Sequence, residues 1–178
     1  GSSMASESAT GADIILTGES GSGLGNFVAS AGDVNGDGYA DVIIGAQSYN
    51  SSDGRVYIYS GASLVNQTVP TGAFATLTGG DGSVFGCSVA SSGDVNGDGY
   101  ADVIIGEYQY SSNAGRAYIF YGGSSMASES STGADVFLTG EAGTDVGASV
   151  ASAGDVNGDG YADVIVGAYY WWDGSSRA

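Results

Sequence analysis

The sequence predicts an all-β protein built from three copies of one repeat, and three observations support this prediction. The nonapeptide Asp-Val-Asn-Gly-Asp-Gly-Tyr-Ala-Asp occurs three times without change, at 33–41, 94–102 and 155–163, so each copy begins 61 residues after the previous one. Each copy runs into a β-branched segment that ends in Gly, such as Asp-Val-Ile-Ile-Gly at 41–45, which is typical of a buried strand. No segment shows a helical period of apolar residues.

Each repeat contains four short segments with the composition of β-strands. In the first repeat they lie at 24–30, 41–45, 54–59 and 73–79. The first has small residues that suit a closely packed inner strand, and clusters of Gly, Ser, Asn and Asp separate the segments as tight turns would. Four strands on a fixed period are the pattern of a β-propeller blade. We therefore predict an all-β fold, a β-propeller fragment of three four-stranded blades.

The repeats are offset from the start of the sequence. We predict one repeat domain over 1–178, in which 1–18 form the closing strand of a blade, 19–79 form blade 1, 80–140 form blade 2 and 141–178 form an incomplete blade 3. The segment before residue 19 aligns with the fourth strand of the later repeats, and the third repeat contains only the beginning of its third strand. We expect the last blade to be completed by the N-terminal strand or by another chain.

The repeated nonapeptide has the donor spacing of a loop that binds a hard cation. In the first copy, side-chain oxygens stand at positions one, three, five and nine, and the carbonyl at position seven is a further ligand. The chain has no His and a single Cys with which to hold a softer metal, so the predicted ion is Ca²⁺, three per chain. The predicted metal ligands are Asp33, Asn35, Asp37, Tyr39 and Asp41, then Asp94, Asn96, Asp98, Tyr100 and Asp102, then Asp155, Asn157, Asp159, Tyr161 and Asp163.

The loop is not an EF-hand, although its first six positions match one. An EF-hand requires a bidentate Glu at position twelve and a helix on each side. Position twelve is Ile44, Ile105 or Val166 here, and each lies within an apolar strand segment. The predicted ion therefore lies in a turn between two strands.

Three features together resemble the FG-GAP repeat of integrin α-subunit propellers and of many bacterial extracellular proteins. They are Phe85-Gly86 before the second loop, the acidic loop itself and Gly45-Ala46 after the following strand. Only the second copy has Phe-Gly, and no copy has Pro after Gly-Ala. The resemblance covers all three repeats, and it implies that the loop joins the first and second strands of a blade and binds Ca²⁺ there.

The composition restricts the possible partners and the compartment. The net charge of −17 comes from 20 acidic residues against three arginines, and three bound Ca²⁺ would change it to −11. Such a charge excludes nucleic acid and anionic membranes as partners, and no apolar run is long enough for membrane insertion. Exposed turns without the twelfth-position Glu suggest an affinity of roughly 10⁻⁴–10⁻³ M, which suits extracellular calcium. We predict a secreted or cell-surface protein whose export signal is not in this sequence.

Three blades are too few for an ordinary ring, since propellers have about four to eight. An open wedge of blades would expose apolar faces and strand edges. Either the sequence is an excised piece of a longer propeller, or copies associate. We predict a homo-oligomer, most simply two chains that form a six-bladed ring.

Aromatic residues in the loops after the second strand are candidate ligand contacts. Tyr and Trp offer flat faces to sugar rings or to protein partners, and these loops vary between otherwise similar repeats. The alternative is that the rings pack between adjacent blades. The candidates are Tyr49, Tyr108, Tyr110, Tyr169, Trp171 and Trp172.

The chain is not expected to be an enzyme. Without His it has no Ser–His or Cys–His nucleophile pair, and nothing in the spacing of Glu107 and Glu141 supports a glycosidase pair. Arg55, Arg116 and Arg177 occupy one position in each repeat, either as a ring for an acidic ligand or as a repeated structural contact. The sequence thus favours a calcium-binding module for extracellular protein binding or adhesion. The alternatives are a carbohydrate-binding propeller and a purely structural self-assembling fragment.

Overall fold

The computed structural model describes residues 12–80 and 82–169, which form thirteen short strands. The strands are β1 Leu16–Thr17, β2 Leu24–Gly32, β3 Asp41–Ala46, β4 Arg55–Tyr59, β5 Gln67–Thr68, β6 Ala75–Thr78, β7 Ser88–Gly93, β8 Asp102–Glu107, β9 Arg116–Phe120, β10 Glu129–Ser130, β11 Val136–Thr139, β12 Val146–Gly154 and β13 Asp163–Ala168. Helical structure in this part of the chain is limited to single turns. Tyr49–Ser52 and Tyr110–Asn113 form turns whose inner residues have positive φ angles, and Gly61–Ser63 and Ser131–Gly133 form 3-10 turns. The predicted all-β class is confirmed.

The sheets are antiparallel meanders of the predicted kind. Blade 1 has the strand order β2-β3-β4-β6, blade 2 has the order β7-β8-β9-β11, and blade 3 consists of β12 and β13 in the described residues. The registers of blades 1 and 2 are related by the repeat, since Ile43 pairs with Ile58 and Ile104 pairs with Ile119. These sheets are β-propeller blades, as the sequence predicted.

The first strands of the three blades lie side by side. β7 packs between β2 and β12, so the small residues of these strands face one another where the blades converge. The apolar core lies mainly between blades, because each sheet presents β-branched residues on both faces. Phe85 and Tyr118, whose ring centroids are 5.3 Å apart in an edge-to-face arrangement, extend this core in blade 2.

Two short parallel strand pairs lie at the outer edge, and one of them connects blade 1 to blade 2. β10, in the connection between β9 and β11, pairs with β6 of blade 1, with Glu129 opposite Leu77. β1 pairs in the same parallel sense with β5, with Leu16 opposite Gln67. Leu16 lies one repeat before Leu77. The pairing of β1 with β5 of blade 1 is therefore equivalent to the pairing of β6 with β10 of blade 2. The N-terminal strand therefore lies where the outer strand of a preceding blade would lie. The third strand of blade 3, beside which a closing strand would lie, falls outside the described residues.

No helix in the described residues has the length and apolar composition needed to cross a bilayer.

Candidate metal centres

The three acidic loops join the first and second strands of their blades. Each begins where β2, β7 or β12 ends, and each ends at the first residue of β3, β8 or β13. In the first loop Gly36 and Gly38 have φ angles of 74° and 88°, which a residue with a Cβ rarely adopts. The corresponding glycines of the other loops have the same sign of φ, so the identical sequences give one backbone shape.

The aspartate at position one organises each loop. In the first copy the N–H of Asp37 donates to Asp33 Oδ1 at 3.0 Å, and the N–H of Gly38 donates to Asp33 Oδ2 at 2.9 Å. The same pair of bonds occurs at Asp94 and Asp155. Backbone N–H groups lower the pKa of Asp155, that of Gly160 most of all. The loop thus stabilises the ionised form of Asp155.

The aspartate at position nine is the most buried member of the set. Asp41 is 1% exposed and accepts N–H groups from Val34 at 3.0 Å and Gly61 at 2.9 Å. Burial raises its pKa, two N–H groups lower it, and the charges of Asp37 and Asp33 raise it further. These three carboxylates are therefore close enough to repel one another.

The aspartate at position five faces solvent. Asp37 accepts the hydroxyl of Ser60 at 2.8 Å and the N–H of Tyr39 at 2.9 Å. The Ser60 hydroxyl is the largest cause of a lowered pKa for this carboxylate, and the Tyr39 N–H adds to it. The Tyr39 side chain is 61% exposed. The predicted ligand at this position is therefore the backbone carbonyl of Tyr39.

The donor chemistry of the loops suits a hard cation, but the carboxylates alone do not enclose one. Among residues 12–80 and 82–169, no group of three or more His, Cys, Asp or Glu side chains is arranged to hold a metal ion. Each loop carboxylate already accepts N–H or O–H groups, although its oxygens have further lone pairs. A bound ion would therefore also need the amide oxygen at position three and the carbonyl at position seven. These are the oxygen ligand types that Ca²⁺ accepts.

The third loop differs from the first two in its surroundings. Asp163, at position nine, is half-buried, whereas Asp41 and its counterpart Asp102 are 1% and 0% exposed. Asp102 accepts the N–H of Gly122 from the connection after the third strand, as Asp41 accepts that of Gly61. The described residues of blade 3 end before that connection.

The repeats match a known family model. The model described as "FG-GAP repeat" matches residues 24–59, 85–120 and 146–176, more than half of the chain. The chain belongs to the FG-GAP repeat family. This confirms the resemblance drawn from the loop and strand spacing.

Curated relatives of these FG-GAP repeats include three integrin α chains. Human integrin alpha-11 is 35% identical in an alignment 162 residues long, which covers 83% of this chain and 13% of that protein. Integrin alpha-4 of Xenopus laevis is 32% identical in an alignment 172 residues long, which covers 87% of this chain and 16% of that protein. Integrin alpha-6 of Gallus gallus is 34% identical in an alignment 143 residues long, which covers 76% of this chain and 12% of that protein. The chain thus spans between 12% and 16% of the length of these relatives.

Two of the candidate ligand aromatics contact arginines of their own repeat. The guanidinium of Arg55 lies 3.6 Å from the centroid of the Tyr49 ring, and its Nε donates to Thr78 Oγ1 at 3.1 Å. The second FG-GAP repeat has the same arrangement between Arg116 and Tyr110, at 3.7 Å. These arginines thus make the same internal contact in both repeats. The contact joins the turn after the second strand of the blade, β3 or β8, to the third strand. Arg177 lies outside the described residues.

The other described aromatic candidates line a cavity of about 450 Å³ between the repeats. Its lining residues are Phe27, Gln47, Cys87, Tyr108, Asp145, Ala148 and Tyr169. Burial raises the pKa of the Cys87 thiol to about 12, so this thiol is not a nucleophile at neutral pH. Asp145 is 5% exposed, its Oδ1 accepts no hydrogen bond from the described residues, and burial raises its pKa. Trp171 and Trp172 lie outside the described residues.

A buried polar network in blade 2 was not evident from the sequence. Glu107 is 1% exposed and accepts hydroxyl groups from Ser83, at 2.6 Å, and from Tyr118. Glu141 is exposed, so the two glutamates considered for catalysis have different surroundings. The only sequence signal was the departure from the repeat, because the position of Glu107 is occupied by Ala46 and Ala168 in the other blades.

Two matched tyrosine substitutions test this network. We expect Tyr118→Phe to lower the free energy of unfolding by about 2 kcal/mol, because it removes a hydrogen bond from the buried Glu107 carboxylate. We expect Tyr59→Phe to be neutral or stabilising by up to about 1 kcal/mol, because the Tyr59 hydroxyl is buried without a partner among the described residues. Blade 2 already has Phe120 at the position of Tyr59. Urea unfolding of both variants checks the pair, and equal losses would contradict the assignment.

Proposed function

We propose that the chain is a calcium-binding, non-enzymatic propeller module for extracellular protein binding or adhesion, and that it self-associates. The observation that carries the proposal is the threefold recurrence of one oxygen-lined loop, with the same hydrogen bonds to its first aspartate, at the same turn of each blade. Membership of the FG-GAP repeat family and the integrin α relatives support the adhesion role and the extracellular location.

The residues that would hold the ion in each repeat are those at positions one, three, five, seven and nine of the loop. A divalent ion supplies positive charge between three aspartates that otherwise repel, as the effect of Asp33 and Asp37 on the pKa of Asp41 indicates. The chain's own residues fix the turn geometry through the N–H groups that bind Asp33. The ion would therefore fasten the first strand of each blade to the second, and its role is structural.

Calcium titration by isothermal calorimetry tests the metal sites. We expect three ions per chain, and two for Asp98→Ala, which removes the position-five ligand of the second loop. Asp13→Ala is the matched control, since it removes one charge from an exposed carboxylate outside the loops and should leave three ions bound. Absence of saturable binding by the unaltered chain, or equal binding by both variants, would contradict the proposed sites.

The chemistry of the described side chains supports a binding role. The sequence has no His, the Cys87 thiol is buried with a raised pKa, and the Glu107 carboxylate is bound by Ser83 and Tyr118. None of these groups is an activated nucleophile or an accessible general base. We therefore assign no reaction to the chain.

The cavity beside Tyr108 and Tyr169 favours carbohydrate binding as a second candidate. Two tyrosines and Phe27 supply apolar ring faces, and the Asp145 carboxylate lies in the same wall, a combination that suits a sugar ring with its hydroxyl groups. A glycan array separates the candidates. Saturable binding that Tyr108→Ala abolishes, with three calcium ions retained, would support a lectin. If the chain forms a defined oligomer but binds no glycan and no protein, the result would support a purely structural module.

A further inference from the structure

The two end faces of the fragment are the two halves of an interface that occurs twice inside the chain. We propose that blade 3 of one copy binds blade 1 of a second copy, in the register that joins blade 1 to blade 2. The proposal rests on the proposed function, because calcium in the acidic loops reduces the negative charge that two copies bring together. It goes further in assigning the surface, the register and a shared calcium loop.

The internal interfaces bury one valine near one isoleucine. Val89 of blade 2 is 8% exposed and belongs to the same core cluster as Ile43 of blade 1, which is fully buried. In the next interface Val150, 7% exposed, shares a cluster with Ile104, which is also fully buried. The two pairs are one repeat apart. The valine comes from the first strand of the later blade and the isoleucine from the second strand of the earlier blade.

In the part of the chain that the structure describes, the end faces expose the same two residue types. Val28, at the position of Val89, is 63% exposed on blade 1, and Ile165, at the position of Ile43, is 46% exposed on blade 3. Blade 1 therefore presents the valine half of the interface, and blade 3 presents the isoleucine half. A second copy is the partner whose apolar surface has the matching positions.

The backbone contacts of the acidic loops repeat in the same way. The N–H of Ala101 in blade 2 donates to the carbonyl of Asp33 in blade 1 at 3.0 Å, and that of Ala162 donates to the carbonyl of Asp94 at 2.9 Å. The first and second loops are thus each held by the end of the next loop. In the proposed assembly, Ala40 of the second copy donates to Asp155.

A tyrosine ring covers the glycine turn of the preceding loop. A Cβ on Gly36 would lie 2.6 Å from Cε1 of Tyr100, and the next interface repeats this contact. At the equivalent turn of blade 3, a Cβ on Gly158 would meet nothing within 4 Å, and Tyr39 at the other end of the molecule is 61% exposed. Tyr39 of a second copy would cover Gly158. The second copy would therefore give the third loop the cover that the first two loops have within one copy.

Two copies are the expected closed assembly. The contact is head to tail, so it closes into a ring only if the rotation between copies returns to the start. Two copies of three blades give six blades, within the range of about four to eight that propellers adopt. Both ends of each copy would then be covered, and no apolar end face would remain exposed.

Gly167→Ala tests the interface without changing the contacts inside one copy. A Cβ on Gly106 would lie 1.9 Å from the carbonyl oxygen of Gly147 in the next blade, whereas the nearest atom to a Cβ on Gly167 is Ser149 Cβ at 3.5 Å. In the assembly, the added methyl would meet the carbonyl of Gly25 of the second copy. We expect sedimentation analysis in a buffer that contains calcium to give twice the chain mass for the unaltered protein and one chain mass for Gly167→Ala. The far-ultraviolet circular dichroism of the two proteins should be the same.

A second variant and a charge control keep the test independent of folding. Val28→Asp places a charge on the exposed half of the interface and should also give one chain mass. Gln109→Glu adds the same charge to an exposed position of blade 2, whose two faces are covered, and should retain twice the chain mass. Association of Gly167→Ala and Val28→Asp equal to that of the control would overturn the proposal, as would one chain mass for the unaltered protein.

Calorimetry on the same samples separates this proposal from the proposed function. Three bound calcium ions with one chain mass would overturn the interface and leave the metal sites intact. Twice the chain mass without calcium binding would overturn the metal sites and leave the interface intact. If both proposals hold, Gly167→Ala should bind calcium more weakly at one of its three sites, because the loop at 155–163 loses its cover.

Discussion

Withdrawal of calcium with EGTA is expected to lower the melting temperature of the chain by about 20 °C. The physical reason is that each acidic loop holds three aspartates near one another without a basic side chain among its nine residues. With the ion gone, repulsion among Asp33, Asp37 and Asp41 acts on the turn that joins β2 to β3, and the other two blades carry the same turn. The three aspartates are held together only in the folded state, so calcium binds that state and stabilises it against unfolding.

The size of the effect follows from mass action. A site with a dissociation constant of about 10⁻⁴ M contributes about 2.7 kcal/mol when the free calcium concentration is about one hundred times that constant, so three sites contribute about 8 kcal/mol. That is comparable with the whole stability of a domain, about 5–15 kcal/mol. For a chain of this size each kcal/mol corresponds to roughly 2–4 °C.

Differential scanning calorimetry with calcium, with EGTA and after restoring calcium is the measurement. Asp98→Ala should show about two thirds of the full shift, since it keeps two intact loops, and Asp13→Ala should show all of it. A melting temperature that EGTA leaves unchanged, together with no metal by elemental analysis, would contradict the assignment of the loops.

Gly106→Ala is expected to lower the free energy of unfolding by about 3 kcal/mol. Gly106 has no positive φ, so the backbone itself accepts Ala. The difficulty is space, because the added Cβ would lie 1.9 Å from the carbonyl oxygen of Gly147. A backbone carbonyl cannot rotate away as a side chain does, so blades 2 and 3 must separate and lose packing along their whole interface.

Gly167→Ala is the matched comparison at the same position of the next repeat. Its new methyl would have only ordinary contacts with Ser149, so the stability of one copy should change by less than about 0.5 kcal/mol. Urea unfolding of both variants, at a concentration where sedimentation shows single chains, measures the difference. Equal destabilisation would mean that the close approach of Gly106 to Gly147 does not limit the packing of the blades.

The repeat pattern was sufficient to predict most of the architecture. An identical nonapeptide at a fixed period determines where turns fall, and alternating Gly-rich and β-branched segments determine strands, because both are local properties of the chain. The strands β2, β3, β4 and β6 accordingly lie within one or two residues of their predicted positions. The ligand set of each loop was also local, since all five positions are within nine residues, and it remains a prediction.

Other features depended on contacts between residues distant in the sequence. The partner of Glu107 is Tyr118 on the adjacent strand, and the cover of Gly36 is Tyr100 from the next repeat. The pairing of β1 with β5 likewise arises from how successive blades pack. A sequence repeat shows that blades are alike, whereas only the tertiary structure shows which face of each is covered. Burial depends on the neighbour in space, and the same valine is buried in blades 2 and 3 and exposed in blade 1 for that reason.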